Sequence, residues 1–265
     1  MSKSRSSTNA KMKPARAGTQ SIERVVDILR YLAAGDEAGV RIADIVVYLK
    51  LEPGTAHRIL KALTAAELVS RNAESHRYSL GPLTYELGLV AKPHGDFAAV
   101  CAASVLRIAE RTGDVAMLTL RSGLDSICLD RQEGSAPIRT LTSRVGVRRP
   151  LGVGAGSLAI LSALPVATTE QVIQLNRTRY GQFNGLTADV LRKMVSKTRA
   201  IGYAYTHGEM YADVGGIGVI IRDANGAPIA ALNMATTVSR LPMPRVRQIV
   251  RDLRKEVLLI ERKLR

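Results

Sequence analysis

The chain has 265 residues, of which 46% are hydrophobic and 23% are charged, an ordinary composition for one large or two modest globular domains. Its net charge of +15 favours a polyanionic partner, nucleic acid before an acidic membrane surface. No run approaches the ~18 apolar residues of a membrane span, and residues 1–19 lack the apolar segment of a signal peptide, so we exclude a membrane-spanning protein and expect a cytoplasmic one.

The chain begins with a segment that predicts a disordered basic arm. Residues 1–19 contain five basic residues, no acidic residue and no apolar cluster. Ser21 follows as a candidate N-cap, and apolar residues then keep a helical period from Ile22 to Leu32. Gly35 ends this first predicted helix.

Two further helices are predicted before residue 67. The second covers residues 42–49. The third begins at Pro53, because proline is favoured at the first helical position, and it ends near Ala66.

The third predicted helix combines a narrow apolar stripe with a cationic outer face. The apolar side chains recur at the spacing i, i+3, i+4, i+7, and they belong to Ala56, Ile59, Leu60 and Leu63. The opposite face carries Thr55, His57, Arg58 and Lys61. Such a helix is by itself most often an ordinary surface helix, but its outer face also suits a DNA major groove.

A β-hairpin is predicted directly after this helix. Alternating residues flank a short polar turn at residues 73–75. Three helices and a hairpin within about 60 residues form a winged helix-turn-helix, in which the hairpin is the wing. The wing residues placed for phosphate or minor-groove contacts are Arg71, Asn72, Ser75, His76 and Arg77. We add Ser21, Arg24 and Arg41 to the predicted DNA-contacting set.

The remainder of the chain predicts a separate α+β domain. Gly81-Pro82 ends the wing, a linking helix follows, and a longer helix runs to about Arg111. Strands are predicted at residues 115–121, 126–131, 138–143, 217–222 and 228–235, and helices after the glycine-rich loop 152–156, at 169–176, at 187–201 and from Pro244. The predicted domains are an arm at 1–19, a winged helix-turn-helix at 20–81, a linker helix at 82–95 and the α+β domain at 96–265.

Several short motifs follow one another along the chain, namely Ser21-x-x-Arg24, Thr55-Ala56-His57-Arg58-x-Leu60, Tyr78-x-Leu80-Gly81, Gly146-Val147-Arg148-Arg149-Pro150-Leu151, Gly202-Tyr203, Glu209 and Asn225-Gly226. In this order they resemble the IclR family of bacterial transcriptional regulators over almost the whole chain. The chain departs from the family at Lys50 and Glu67, where the family usually has glycine, and at Gly54, where it commonly has serine or threonine.

The resemblance implies a GAF-like second domain that binds a small, often carboxylate-bearing effector. It implies a homodimer or a dimer of dimers that reads palindromic operators in double-stranded DNA and controls DNA binding or RNA polymerase recruitment. The implied effector-binding residues are Val153, Gly154, Ala155, Gly156, Thr206, Glu209, Gly216, Asn233 and Ala235. A glycine-rich turn that opens a helix suits a carboxylate. Since the remaining wall has Asn233 as its one clear polar group, we expect an effector larger or less charged than a two- or three-carbon acid.

Other function classes fit the sequence less well. The loop Gly152–Gly156 lacks the G-x-G-x-x-G spacing and the βαβ context of a dinucleotide-binding oxidoreductase. A cysteine hydrolase would pair Cys128 with His207, but no nucleophile elbow surrounds either cysteine. Cys101, Cys128 and four scattered histidines also lack metal-ligand spacing, so we expect no metal, no cofactor and no enzyme activity. A sequence-nonspecific DNA-binding protein without an effector stays open.

Overall fold

The computed structural model describes residues 19–35, 38–90, 97–136, 143–209 and 211–264. The chain divides into two compact units, residues 1–91 and residues 92–265. The predicted basic arm and most of the strand predicted at residues 138–143 lie outside the described residues.

In the part of the first unit that the structure describes, three helices are followed by a hairpin and a fourth helix. In chain order the elements are α1 (Gln20–Ala34), α2 (Ile42–Leu49), α3 (Pro53–Ala65), β1 (Val69–Arg71), β2 (Tyr78–Leu80) and α4 (Pro82–Val90). The two strands pair antiparallel, with Val69 opposite Leu80 and Arg71 opposite Tyr78. The winged helix-turn-helix predicted from the sequence is confirmed, with strands of three residues each.

The core of this unit is small and entirely apolar apart from one tyrosine hydroxyl group. It is formed by the inward faces of the helices and of the hairpin, namely Ile28, Leu32, Val40, Ile45, Leu60, Leu63, Val69 and Tyr78. The sequence predicted that Ser21 caps α1, but the structure shows that it does not. It is the second residue of the helix, and the N-cap position belongs to Thr19.

Within the described residues, the second unit is an antiparallel sheet of six strands with helices on both faces. The strands lie in the order β5-β4-β3-β8-β7-β6. In chain order the elements are α5 (Phe97–Thr112), β3 (Val115–Ser122), β4 (Asp125–Gln132), β5 (Arg148–Pro150), α6 (Ala155–Ala163), α7 (Val166–Tyr180), α8 (Ala188–Ile201), β6 (Ala204–His207), β7 (Val214–Arg222), β8 (Pro228–Thr237), a 3₁₀ turn (Val238–Arg240) and α9 (Met243–Lys263).

The two faces of this sheet bury separate apolar clusters. One face packs against α5 and α9, and the other packs against α6, which α7 and α8 cover in turn. The predicted α+β class is confirmed. The sequence did not predict β5 or β6, which are strands of three and four residues.

Helix α6 lies very close to strand β7, and a glycine makes this approach possible. A Cβ atom at Gly218 would stand 2.5 Å from the carbonyl oxygen of Ala155, closer than atoms can pack. A glycine is therefore required where the first turn of α6 meets the sheet. This contact fixes the distance between the helix and the sheet at the cavity described next.

Candidate functional site

The outer face of α3 carries the polar and cationic side chains that the sequence predicted. His57, Arg58 and Lys61 are exposed, and Thr55 is half-buried. On the opposite side Ala56, Leu60 and Leu63 are buried in the core of the first unit. The α-helical period alone therefore turns the basic residues toward solvent, where they can contact a nucleic acid.

The wing presents Arg71 as an exposed cation. Its guanidinium carbon lies 5.9 Å from the centre of the Tyr78 ring, a cation–π contact that restricts the side chain. Ser75 and His76 are exposed as well, and His76 has a left-handed backbone with φ of 55°.

Two of the wing residues that are predicted to contact DNA also make hydrogen bonds that stabilise the domain itself. The Oδ1 atom of Asn72 accepts hydrogen bonds from the backbone N–H groups of Glu74 at 3.0 Å and Ser75 at 2.8 Å, and so holds the turn. The half-buried Arg77 donates from Nη1 to the carbonyl oxygen of Gly39 at 2.8 Å. Only their remaining donor groups are available to DNA.

The other predicted DNA contacts lie at the first two helices. Ser21 is exposed in the first turn of α1, and Arg24 follows it as a half-buried residue. Arg41 is exposed at the N-cap position of α2.

The second unit contains a cavity between the first turn of α6 and the sheet. Its empty space, including the part open to solvent, is about 570 Å³. Eight of the nine predicted effector-binding residues line it, namely Val153, Gly154, Ala155, Gly156, Thr206, Gly216, Asn233 and Ala235. Glu209 is not among the lining residues, because its carboxylate turns back to accept a hydrogen bond from the backbone N–H of His207.

The cavity wall is more polar than the sequence suggested, and it includes a cation. Arg149 lines the cavity together with Thr119, Ser126, Cys128 and Ser157. Asn233 is thus not the single clear polar group, and its Oδ1 atom accepts a hydrogen bond from Thr119 Oγ1 at 2.8 Å. Arg149 belongs to a motif that the sequence did single out, whereas nothing in the sequence shows which face of β3 or β4 meets α6.

Electrostatics at the cavity favour an anion. Burial lowers the pKa of the Arg149 guanidinium, since desolvation penalises its charged form, and the group still remains a cation. The N-terminus of α6 adds the partial positive charge of the helix dipole, with Gly154 at the N-cap at a positive φ of 87°. The cavity can therefore receive a carboxylate between Arg149 and the first turn of α6.

Cys128 does not have the character of a catalytic nucleophile. Burial raises the pKa of its thiol, although a hydrogen bond with Ser143 and the charges of Arg131 and Arg149 oppose the shift. The thiol is thus in its neutral form near pH 7. His207, its partner in the hydrolase alternative, does not line the cavity.

These features define a winged helix-turn-helix unit and a ligand-cavity unit in one chain, and comparison with known proteins identifies the family. The IclR helix-turn-helix domain model matches residues 21–73, and the model of the bacterial transcriptional regulator IclR C-terminal domain matches residues 93–262. The chain belongs to the IclR family of bacterial transcriptional regulators. The family predicted from the sequence motifs is confirmed.

Similar proteins include regulators that align over most of their length. The chain is 25% identical over 249 residues to the HTH-type transcriptional repressor AllR of Escherichia coli K12, which covers 92% of this chain and 90% of that protein. It is 28% identical over 232 residues to the probable transcriptional regulator SauR of Cupriavidus necator, covering 87% and 91%. The crystal structure of an IclR homolog from Microbacterium hydrocarbonoxydans complexed with 4-hydroxybenzoate has a TM-score of 0.71, 22% identity, and coverage of 92% and 98%.

No helix in the described ranges is both long enough and apolar enough to cross a membrane.

Proposed function

We propose that this protein is an effector-responsive regulator that binds a promoter operator through α3 and the wing. In this proposal α3 enters the major groove, a homodimer or dimer of dimers reads a palindromic site, and an organic or aromatic acid in the C-terminal cavity releases the DNA. Repression is the proposed direction of control, and it is supported by the similarity to the transcriptional repressor AllR.

The observation that carries the proposal is the exposed cationic face of α3, opposite the apolar face that is buried in the core of the first unit. Arg58 is exposed in the first half of the helix, where major-groove contacts are made by helix-turn-helix proteins. Its guanidinium group can donate two hydrogen bonds to one guanine. Lys61, one turn further along the same face, can contact a base or a phosphate.

The cavity supports an acidic effector. Arg149 and the N-terminus of α6 both favour negative charge, while Met117, Val153 and Ala155 supply apolar wall. This combination suits a carboxylate attached to an apolar or aromatic body, and one structural neighbour is complexed with such an acid, 4-hydroxybenzoate. Of the two alternatives that the sequence left open, an effector larger or one less charged than a two- or three-carbon acid, the Arg149 cation favours the larger one.

Substitution of Arg58 tests the DNA-binding proposal. We expect Arg58→Ala to weaken binding to the promoter region upstream of the gene by about 1–3 kcal/mol, and to change binding to scrambled DNA much less. Fluorescence anisotropy with labelled duplexes measures both. The matched control is Arg30→Ala, since Arg30 is an exposed arginine of α1 that pairs with Asp27 at 3.6 Å. Equal loss on both duplexes would instead favour a sequence-nonspecific DNA-binding protein.

Substitution of Arg149 tests the effector proposal. With 4-hydroxybenzoate as the probe, we expect a rise in the melting temperature of the full chain, because a ligand at 100 times its Kd adds about 2.7 kcal/mol. Arg149→Met should abolish the rise. Arg144→Met is the control, since Arg144 is exposed and does not line the cavity. A rise that survives Arg149→Met would contradict the assigned carboxylate position.

A further inference from the structure

The solvent face of the C-terminal helix α9 carries a continuous basic stripe. The opposite face of the helix is buried against the sheet and α5. Five exposed cations lie within an arc of about 100° around the helix axis, and they are Arg247, Arg251, Arg254, Lys255 and Arg262. Between residues 247 and 262 this arc contains one uncharged residue, the exposed Leu258. We call the five cations the α9 stripe, which is about 22 Å long.

The acidic residues of α9 do not neutralise the α9 stripe. Glu256 is buried in ion pairs with two arginines of α5. Asp252 accepts a hydrogen bond from Gln248 at 3.1 Å, and Glu261 accepts one from the backbone N–H of Arg222 at 2.8 Å. Among the described residues, none of the five cations has a carboxylate within ion-pairing distance.

The α9 stripe is unfavourable for the helix that carries it. Arg251 has like charges at the spacings i−4, i+3 and i+4, and such pairs destabilise a helix. Within the described ranges Arg247 and Lys255 make no hydrogen bond, and only the contact of Arg254 with the carbonyl oxygen of Gly202, at 3.3 Å, reaches another element. The fold of the C-terminal unit therefore does not explain this row of charges, whereas a polyanionic partner would.

Duplex DNA is the partner that fits the α9 stripe. A second copy of the chain is disfavoured, because two like stripes repel each other. A protein partner would need more apolar contact area than the single Leu258 supplies. DNA carries one phosphate charge per about 1.7 Å of its axis, so that about 13 phosphates lie along the length of the stripe. Long cationic side chains can bind such a backbone without a fixed register.

We propose that the α9 stripe is a second DNA-binding surface, which binds the phosphate backbone without sequence preference. Its guanidinium and ammonium groups donate hydrogen bonds to phosphate oxygens, and such contacts add affinity and salt dependence without base readout. The inference rests on the proposed function for the choice of DNA as the partner. It goes beyond that function because it assigns DNA contacts to the C-terminal unit.

Neutralisation of the α9 stripe in the full chain tests the proposal. We expect the double variant Arg251→Gln, Lys255→Gln to bind a long duplex of scrambled sequence tenfold or more weakly at low salt. The slope of log K against log salt concentration should fall in magnitude by about 2, because each lost phosphate contact removes about 0.9. Fluorescence anisotropy over a series of KCl concentrations measures both quantities.

The double variant Arg177→Gln, Lys193→Gln is the matched control. It removes an exposed arginine of α7 and an exposed lysine of α8, on the other side of the sheet, and it changes the net charge identically. This control should leave the affinity and the slope nearly unchanged. Thermal melting followed by circular dichroism checks that both double variants fold, and the stripe variant should melt no lower than the wild type because like-charge repulsion is removed.

Acetylation of lysine side chains tests the same surface without variants. In the wild-type chain, scrambled duplex at low salt should protect Lys255 from an N-hydroxysuccinimide ester of acetate, and it should not protect Lys193, as mass spectrometry measures. High salt should remove the protection, because it weakens contacts with phosphates.

Two results would overturn the proposal. The first is an equal slope for the stripe variant and the control variant, which would leave an acidic protein as the partner of the stripe. The second is acetylation of Lys255 that DNA does not change. A failure of the proposed function is distinguishable from both: if Arg58→Ala does not weaken operator binding while the stripe variant still lowers the slope, the role of α3 is wrong and the stripe stands.

Discussion

Lys50 and Glu67 adopt left-handed backbone conformations with φ of 51° and 56°. Lys50 ends α2, and Glu67 follows α3 just before the wing. A left-handed conformation costs a residue with a Cβ atom roughly 1–2 kcal/mol, and glycine avoids this cost. Both positions are those at which the sequence departs from the family's usual glycine, so the strain was foreseeable from the motif.

We expect Glu67→Gly to stabilise the N-terminal unit by about 0.5–1 kcal/mol, because relief of the left-handed strain exceeds the added entropy of the unfolded chain. Native-state hydrogen exchange of the α3 amide groups measures the change in that unit alone. Ala62→Gly, at an exposed position inside α3, is the matched control and should destabilise by about 1 kcal/mol. A loss of stability in Glu67→Gly would mean that the Glu67 side chain has a stabilising role.

At the scale of single residues, the helical periodicity of the sequence decided which candidate site residues could be predicted. His57, Arg58 and Lys61 were predicted correctly as exposed because their direction follows from the helix alone. Thr119 was not predicted as a cavity residue, because it lines a space that exists only after α6 packs on the sheet.

At the scale of elements, α5 and α9 are held together by a buried carboxylate. Glu256 is 0% exposed, and its oxygens lie 2.7 Å from Arg107 Nη2 and 3.1 Å from Arg111 Nη1. Burial by itself raises the pKa of Glu256, but hydrogen bonds from Arg107 and Ser104 and the charges of both arginines outweigh it and hold the pKa below 4.5.

The lowered pKa makes the stability of the α5–α9 pair depend on pH. Because the unfolded chain binds this proton more tightly than the folded one, the carboxylate stabilises the fold above its unfolded pKa, and the contribution is lost as pH falls through the folded pKa. We expect Glu256→Gln to lower the free energy of unfolding by about 2–3 kcal/mol near neutral pH, because the two arginines lose their counter-ion. The loss is smaller than for a fully buried ion pair, since both arginines are partly hydrated. Urea denaturation should show this difference shrink as the pH is lowered below the ordinary pKa of a glutamate. A difference that does not vary with pH would contradict the assigned ionisation.

How well the sequence predicted a helix or strand depended on the length of that element. Long periodic helices such as α3 and α9 were located within a few residues, since their stripes are visible in the sequence. Strands β5 and β6 were missed, because segments of three and four residues carry no periodic signal and become strands only by pairing with β4 and β7. The sheet order, with β8 between β3 and β7, is likewise a property of the folded chain.

At the scale of the whole molecule, the positive charge is not concentrated in the DNA-binding unit. Residues up to Val90 carry 13 basic and 9 acidic side chains, so most of the net charge of +15 belongs to the remainder of the chain. Net charge therefore cannot have indicated which surface binds DNA. The placement of individual cations relative to the phosphates decides it.

Two charge reversals of equal size test this distinction. We expect Arg71→Glu on the wing to weaken binding to operator and scrambled DNA alike, by tenfold or more, and to reduce the slope of log K against log salt concentration by about 1. Arg177→Glu, at an exposed position of α7, changes the net charge identically and should leave both quantities nearly unchanged. Equal effects of the two reversals would show that overall charge governs the affinity.

The glycine under the first turn of α6 has a consequence for how such a protein can diversify. Because a Cβ atom at Gly218 would stand 2.5 Å from the Ala155 carbonyl oxygen, α6 keeps its height above the sheet only while this position remains glycine. The size of the cavity can therefore vary through the side chains of its wall, but not through the height of the helix, whose first turn is part of the anion site. Engineering a sensor for bulkier acids would then begin at a wall side chain such as Met117, with this backbone contact left unchanged.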